Sequence, residues 1–198
     1  MRLRSVLALV MLLSGTAVPL VRPLAPLALA QTPPGTASPA VRLDTLFKEL
    51  RQAGGEDLAE LIVAQIWDAW RDATPAEVRP LADQAGAEMA RGEFHAAVAL
   101  LDEVVKRAPL WPEGWNMRAT ALYLLGDHAR SLADCHRVLA LEPRHFGALA
   151  GMGLIHMAAG RFAAALEAYK RALGINPYLK ERIVIIPALE KQVQGKPL

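Results

Sequence analysis

From Val41 onward, apolar residues recur at steps of three and four, the period of helices that bury one stripe. The first helical pattern begins at Val41, with Asp44 the expected N-cap and Leu43, Leu46, Phe47 and Leu50 on one face. Gly54-Gly55 ends it. Glu56–Ala73 predicts a longer amphipathic helix whose buried face carries Leu58, Leu61, Ile62, Ile66, Trp67 and Trp70. One pattern then returns three times at a spacing of 34 residues, with prolines at Pro75, Pro109, Pro143 and Pro177 and glycines at Gly92, Gly126 and Gly160. Each glycine separates two Ala-rich segments of helical length. Thr74-Pro75-Ala76-Glu77 offers a capping residue, a proline and an acid three after the cap, so a helix is expected to start there and run to Arg91. Further helices are expected over 94–108, 113–125, 129–141, 145–159 and 162–175. A helix, a Gly turn, a second helix and a proline stop make a hairpin that cannot bury its apolar face alone, so the repetition predicts a helical solenoid. Tyr178–Gln194 predicts a last helix covering the exposed end. Pro187, directly after Ile183-Val184-Ile185-Ile186, should kink it or split it near 179–185 and 188–194.

Composition changes the picture mainly at the N-terminus. At 198 residues and 53% apolar, the chain suits one folded domain plus short extras. Part of that apolar content is an expected export signal over residues 1–30: Arg2 and Arg4, the run Val6–Leu13, then small residues. Gly15, Pro19 and Arg22 make the run short for a membrane span. Ala28-Leu29-Ala30 before Gln31 is the expected cleavage site, and Gly15-Thr16-Ala17 is a second candidate. The alternative is an uncleaved anchor, in which case the protein would be membrane-associated. Residues 31–41 read as a flexible linker rich in Pro, Ser, Thr and Gly. Removing residues 1–30 leaves 19 basic and 20 acidic residues, without a basic stripe, which argues against nucleic-acid binding. Cys135 is the only cysteine, so no disulfide framework exists.

The 34-residue units resemble the tetratricopeptide repeat (TPR). In the third, Gly153, Gly160-Arg161-Phe162, Ala165, Tyr169, Ala172, Leu173 and Pro177 fit the motif. Trp115, Ala119, Gly126-Asp127-His128, Ser131, Val138, Leu139 and Pro143 fit in the second. Ala85, Gly92-Glu93-Phe94, Ala97, Leu101 and Pro109 fit in the first. The resemblance implies an all-α, right-handed superhelical TPR solenoid of helical hairpins, with a degenerate N-terminal hairpin and a C-terminal capping helix. Repeats fall at about 78–111, 112–145 and 146–179, within 75–178. The pair over 42–74 is the expected N-terminal cap, and 179–198 the C-terminal capping segment. The chain is also similar to small exported TPR proteins of proteobacteria, which implies a periplasmic or envelope-associated location.

TPR domains bind peptides on the concave face, built from the first helix of each hairpin. By register that face carries Arg79, Met89, Asn116, Thr120, Tyr123, Leu154 and Met157, with Ala82, Gly86, Leu124 and Ala150 between them. The Lys/Asn/Arg clamp by which chaperone-binding members hold a terminal carboxylate falls here on Ala82, Gly86, Asn116, Thr120, Ala150 and Leu154, so it is absent. A mostly apolar trough remains, suited to an adaptable protein or peptide partner. The alternative is that neighbouring helices or the C-terminal segment cover it. His95, His128, His136, His145 and His156 show no metal-ligand spacing, and His156 reads as a packed residue. Asp127, Asp134, Glu142 and the other acids read as solvent-facing, and Cys135 as a buried small side chain. No catalytic set, metal site or cofactor motif is readable. The expected function is a non-enzymatic periplasmic adaptor. The alternative is a structural envelope protein acting by self-association or within a membrane-associated assembly.

Overall fold

A computed structural model describes residues 39–195. The expected signal and residues 31–38 of the linker lie outside the described residues. Within them the chain forms nine helices and no strand. Three hairpins are α3 (Arg79–Arg91) with α4 (Phe94–Arg107), α5 (Pro112–Leu124) with α6 (His128–Leu141), and α7 (Phe146–Ala158) with α8 (Phe162–Ile175). They are preceded by α1 (Pro39–Gln52) and α2 (Glu56–Asp72) and followed by α9 (Glu181–Val193).

The hairpin turns explain the glycines. Gly92, Gly126 and Gly160 adopt φ of 81°, 82° and 69°, a left-handed conformation that glycine reaches without strain. In each turn the glycine N–H and the next N–H reach back to two carbonyls of the ending helix, as in Gly92 N to Met89 O at 3.1 Å and Glu93 N to Glu88 O at 2.9 Å. Pro109, Pro143 and Pro177 stand in the connections between units, where no helical N–H is lost. Gly153 has a different role. A Cβ there would stand 2.5 Å from the Tyr169 ring, so the missing side chain lets the third hairpin close on a fully buried tyrosine. Arg118 reaches Asp134 within its own hairpin through two 2.8 Å contacts and Asp102 of the preceding unit through another. The Asp134 bond in particular holds the Arg118 pKa above its ordinary value.

Four expectations need correction. The helix after Pro75 begins at Arg79, and Thr74 donates its hydroxyl back to Arg71 O instead of capping forward. Pro80 is the reason: it has no N–H for a helix begun at Pro75, but it is tolerated at the second position of one begun at Arg79. At the other end, α9 runs unbroken through Pro187. Pro187, Ile183 and Val184 are exposed, so the carbonyl freed by the missing N–H is on the side open to water. Next, α1 begins at Pro39, which takes in the last residues of the expected linker and puts Asp44 inside the helix, not at its cap.

The fourth correction concerns where the N-terminal hairpin sits. It does not stack on the first unit as a preceding repeat. Its core residues Leu46, Phe47, Leu50, Ile66 and Trp70 share one cluster with Phe146, Leu149 and Ala172 of the third unit. The hairpin lies along the edge where the connections between units emerge. At the first connection, Trp111 Nε1 donates to Trp70 O at 3.2 Å. At the second, Phe146 meets the Trp70, Trp67 and Phe47 rings at 5.3, 5.6 and 6.5 Å, and Arg144 bonds Asp44 at 2.6 Å. At the third, Tyr178 donates to Ala53 O, and Arg182 and Lys180 pair with Glu56 and Glu60. The pair α1–α2 is a strap along three connections.

Candidate functional site

The first helices α5 and α7 lie side by side and carry parallel stripes at steps of three and four: Glu113, Asn116, Thr120 and Tyr123 on α5, and Gly147, Ala150, Leu154 and Met157 on α7. Asn116, Thr120, Tyr123, Leu154 and Met157 are all half-buried, with Ala150 buried beneath them. Tyr123 stacks on His128, ring centroids 5.2 Å apart, and burial raises its hydroxyl pKa. The Thr120 hydroxyl donates to Asn116 O at 3.0 Å, which turns it back onto its own helix. Met89 packs on the core of the first unit, and Met157 on the cluster that α9 completes through Ile186 and Leu189. Arg79 departs from the expected set. Its guanidinium donates to Thr74 O at 2.9 Å, which ties it to the segment after α2.

The strap closes one end of both stripes. Trp67 rests on Gly147, where a Cβ would stand 2.5 Å from the indole ring. On α5 the matching step is Glu113, which is buried and accepts from Asn116 Nδ2 at 3.2 Å. His145 joins the two ends. Its ring is fully buried, stacked on Trp70 at 4.0 Å and edge-on to Trp67 at 5.5 Å. The Ala148 N–H donates to Nδ1 at 3.1 Å, capping α7, so the ring hydrogen sits on Nε2 and donates to the Glu113 carboxylate at 3.1 Å. One imidazole therefore fixes the start of α7, the strap and the second unit together.

Sequence reasoning missed Glu113 and His145, and it placed the acids in solvent. Glu113, Asp134 and Glu142 are buried. Each has a cationic or imidazole partner: His145, Arg118 and Arg144 respectively. For Glu113 and His145 the available signal was their place just after the connecting prolines Pro112 and Pro143, where chain segments converge. Leu58 and Leu61, expected in the core, are 51% and 63% exposed. Cys135 is buried, and burial pushes its thiol up to about 12. His156 accepts from Arg161 Nε at 3.0 Å, and its pKa is lowered by burial and by that arginine. Among the described residues no group of three His, Cys, Asp or Glu side chains could hold a metal ion, and no helix is long and apolar enough to cross a membrane.

Family models described as tetratricopeptide repeat match residues 83–140 and 146–179. A TPR repeat-containing protein of Rhizobium etli is 37% identical over 142 residues, which span 72% of this chain and 70% of that relative. The chain belongs to the tetratricopeptide repeat family. Solved TPR structures agree with the fold. The Sgt2 TPR domain from Aspergillus fumigatus superposes with a TM-score of 0.58 at 22% identity, over 64% of this chain and 88% of that one. MamA protein gives 0.56 at 20% identity, over 80% and 83%. The first TPR of Spaghetti (RPAP3), solved bound to an HSP90 peptide, gives 0.57 at 20% identity, over 59% and 93%. The all-α solenoid expected from the sequence is thus the fold of this TPR protein. The TPR2B domain of yeast Sti1, 24% identical with a TM-score of 0.54 over 62% of this chain and 100% of that one, was solved as a complex with pHsp70.

Proposed function

We propose that this TPR protein is a non-enzymatic adaptor, exported to the periplasm with its signal removed after Ala30, that holds a protein or peptide partner along the α5 and α7 stripes. The observation that carries this reading is the half-buried row Tyr123, Leu154 and Met157 on adjacent first helices, offering adaptable apolar surface. Export rests on Arg2, Arg4, the apolar run and Ala28-Leu29-Ala30. The relevant chemistry differs from that of the structural relatives solved with HSP90 and Hsp70 peptides. The nearby cations are engaged elsewhere: Arg79 with backbone carbonyls, Arg118 with two aspartates, Arg144 with Glu142 and Asp44. None of these three guanidinium groups is left for a peptide ending in several carboxylates, so an apolar partner is the better fit.

The test is crosslinking in cells of the wild-type protein beside a Tyr123→Ala/Met157→Ala variant of unchanged circular dichroism. A partner captured by the first and absent from the second supports the groove. The same partners with both remove it. A second reading, self-association, is favoured by Ile183 and Val184, 64% and 70% exposed on the outer face of α9. Light scattering at micromolar concentration decides it, because a monomer excludes it. N-terminal sequencing of the secreted protein checks the cleavage.

A further inference from the structure

Helix α9 is built as the first helix of a fourth hairpin. Ile186 and Leu189 pack with Ala150 of α7 and with Ala165 and Tyr169 of α8, and Glu190 pairs with Lys170 at 2.7 Å. The repeat spacing runs on into it: Glu181, Val184, Ala188 and Lys191 stand 34 residues after Gly147, Ala150, Leu154 and Met157. By the same step Ile183 and Pro187 match Leu149 and Gly153, and Gly153 is where α7 meets Tyr169 of its own second helix. Among the described residues no second helix follows α9, and Ile183 and Pro187 are exposed beside Val184. Val184 and Lys191 lie on the side of the helix opposite the buried Ile186 and Leu189, with Ala188 and Glu181 next to them. Most charges of this segment are engaged: Lys180, Arg182 and Glu190 pair with Glu60, Glu56 and Lys170. Glu181 and Lys191 have no ion pair among the described residues.

We propose that α9 is the contact between two copies of this protein, packed antiparallel on one another through Val184 and Ala188. This rests on the self-association reading above and names its surface. The open stripe is its own complement, because Glu181 and Lys191 lie equally far from its midpoint, and so do Val184 and Ala188. In a twofold antiparallel pair, Glu181 of each copy is level with Lys191 of the other, which gives two ion pairs. Val184 is then level with the smaller Ala188, so the helices can approach closely. A parallel pair would instead set glutamate against glutamate and lysine against lysine. The ion pairs fix the register, and burial of Val184, Ile183 and Pro187 supplies the attraction. At 13 residues α9 is about 20 Å long, so the contact is smaller than the standard interface of about 1,200–2,000 Å², and association is reversible.

The test is light scattering of the isolated protein over a series of micromolar concentrations. The wild type should pass from monomer to dimer as concentration rises. Val184→Glu should hold it monomeric, and Val184→Ser, which adds no charge, should weaken the dimer. Lys191→Glu and Glu181→Lys should each weaken dimerisation at least about tenfold. The exchange Glu181→Lys/Lys191→Glu should restore it to within about threefold of the wild type. None of these side chains belongs to the core, so circular dichroism should be unchanged. A wild-type dimer that both Val184 variants leave intact refutes the α9 contact while self-association stands. Single charge variants that weaken the dimer without rescue by the exchange refute the antiparallel pairing. A wild type that is monomeric throughout overturns both.

Discussion

Replacing Trp70 by alanine tests whether the N-terminal hairpin is held by the third unit or only by its own internal packing. Trp70 is 3% exposed, stacks on His145 at 4.0 Å and meets Phe146 at 5.3 Å. Truncating a buried tryptophan costs about 3–5 kcal/mol, the transfer of the ring plus the cavity it leaves. Against a typical total of about 5–15 kcal/mol this is a large fraction, and for a domain of this size it lowers Tm by roughly 6–20 °C. The loss alone does not identify the partner, so the decisive measurement is a double-mutant cycle read by urea unfolding. Trp70→Ala with Phe146→Ala should couple by about 1 kcal/mol, the scale of an aromatic pair with a shared cavity. Trp70→Ala with Val98→Ala should be additive, because Val98 belongs to the separate core of the first unit. Coupling to Phe146 no greater than that to Val98, within roughly 0.3 kcal/mol, would refute docking on the third unit.

Three further outcomes follow from the same contacts. Gly153→Ala should cost about 1–3 kcal/mol in urea unfolding, because its Cβ would stand 2.5 Å from Tyr169; Gly86→Ala, whose Cβ meets only Met117 at 4.0 Å, should stabilise by up to about 1 kcal/mol. Tyr169→Phe should be nearly neutral or stabilising by the same assay, since the buried Tyr169 hydroxyl has no hydrogen-bond partner among the described residues. Burial raises the pKa of Cys135, to about 12, and of Tyr169, so both are neutral in the fold at pH values where the unfolded chain begins to ionise. Their contribution is therefore complete below the unfolded thiol range and is lost as pH rises from about 8.5 toward 12, which Tm against pH should register. The Cys135 thiol should also resist alkylation at pH 8 until urea is added.

The three hairpins were legible because turn chemistry is local. A glycine that must take positive φ and a proline that cannot sit inside a helix leave marks at fixed positions, and Gly92, Gly126 and Gly160 fell where the spacing put them. The strap was not legible in the same way. Periodicity over residues 43–70 states which side chains are buried and leaves open what buries them. Phe47 and Trp70 would read identically whether stacked on the first unit or laid across the third. Leu58 and Leu61 misled for a related reason: their spacing fits a core stripe, and only the placement of α1 decides which apolar stripe is covered. Of the residues assigned to the groove, Tyr123, Leu154 and Met157 lie on the adjacent first-helix stripes, whereas Arg79 is drawn off by backbone carbonyls that no pattern on its own helix reveals. Glu113 and His145 escaped notice because their partners lie 32 positions apart.

The strap also bears on the order in which the chain can become native. A stack of repeats contacts only its neighbours and can grow one unit at a time as the polypeptide emerges. Here the bonds of Asp44, Ala53 and Glu56 close over separations of 100, 125 and 126 residues. The earliest helices made must keep their aromatic face unsatisfied until Phe146 has been synthesised, and Glu56 unpaired until Arg182 has. Closing so long a loop slows folding and converts a modular stack into a body that forms all at once. Loss of the last thirty residues would therefore be felt at the opposite end of the chain as well, where Ala53 and Glu56 would lose Tyr178 and Arg182.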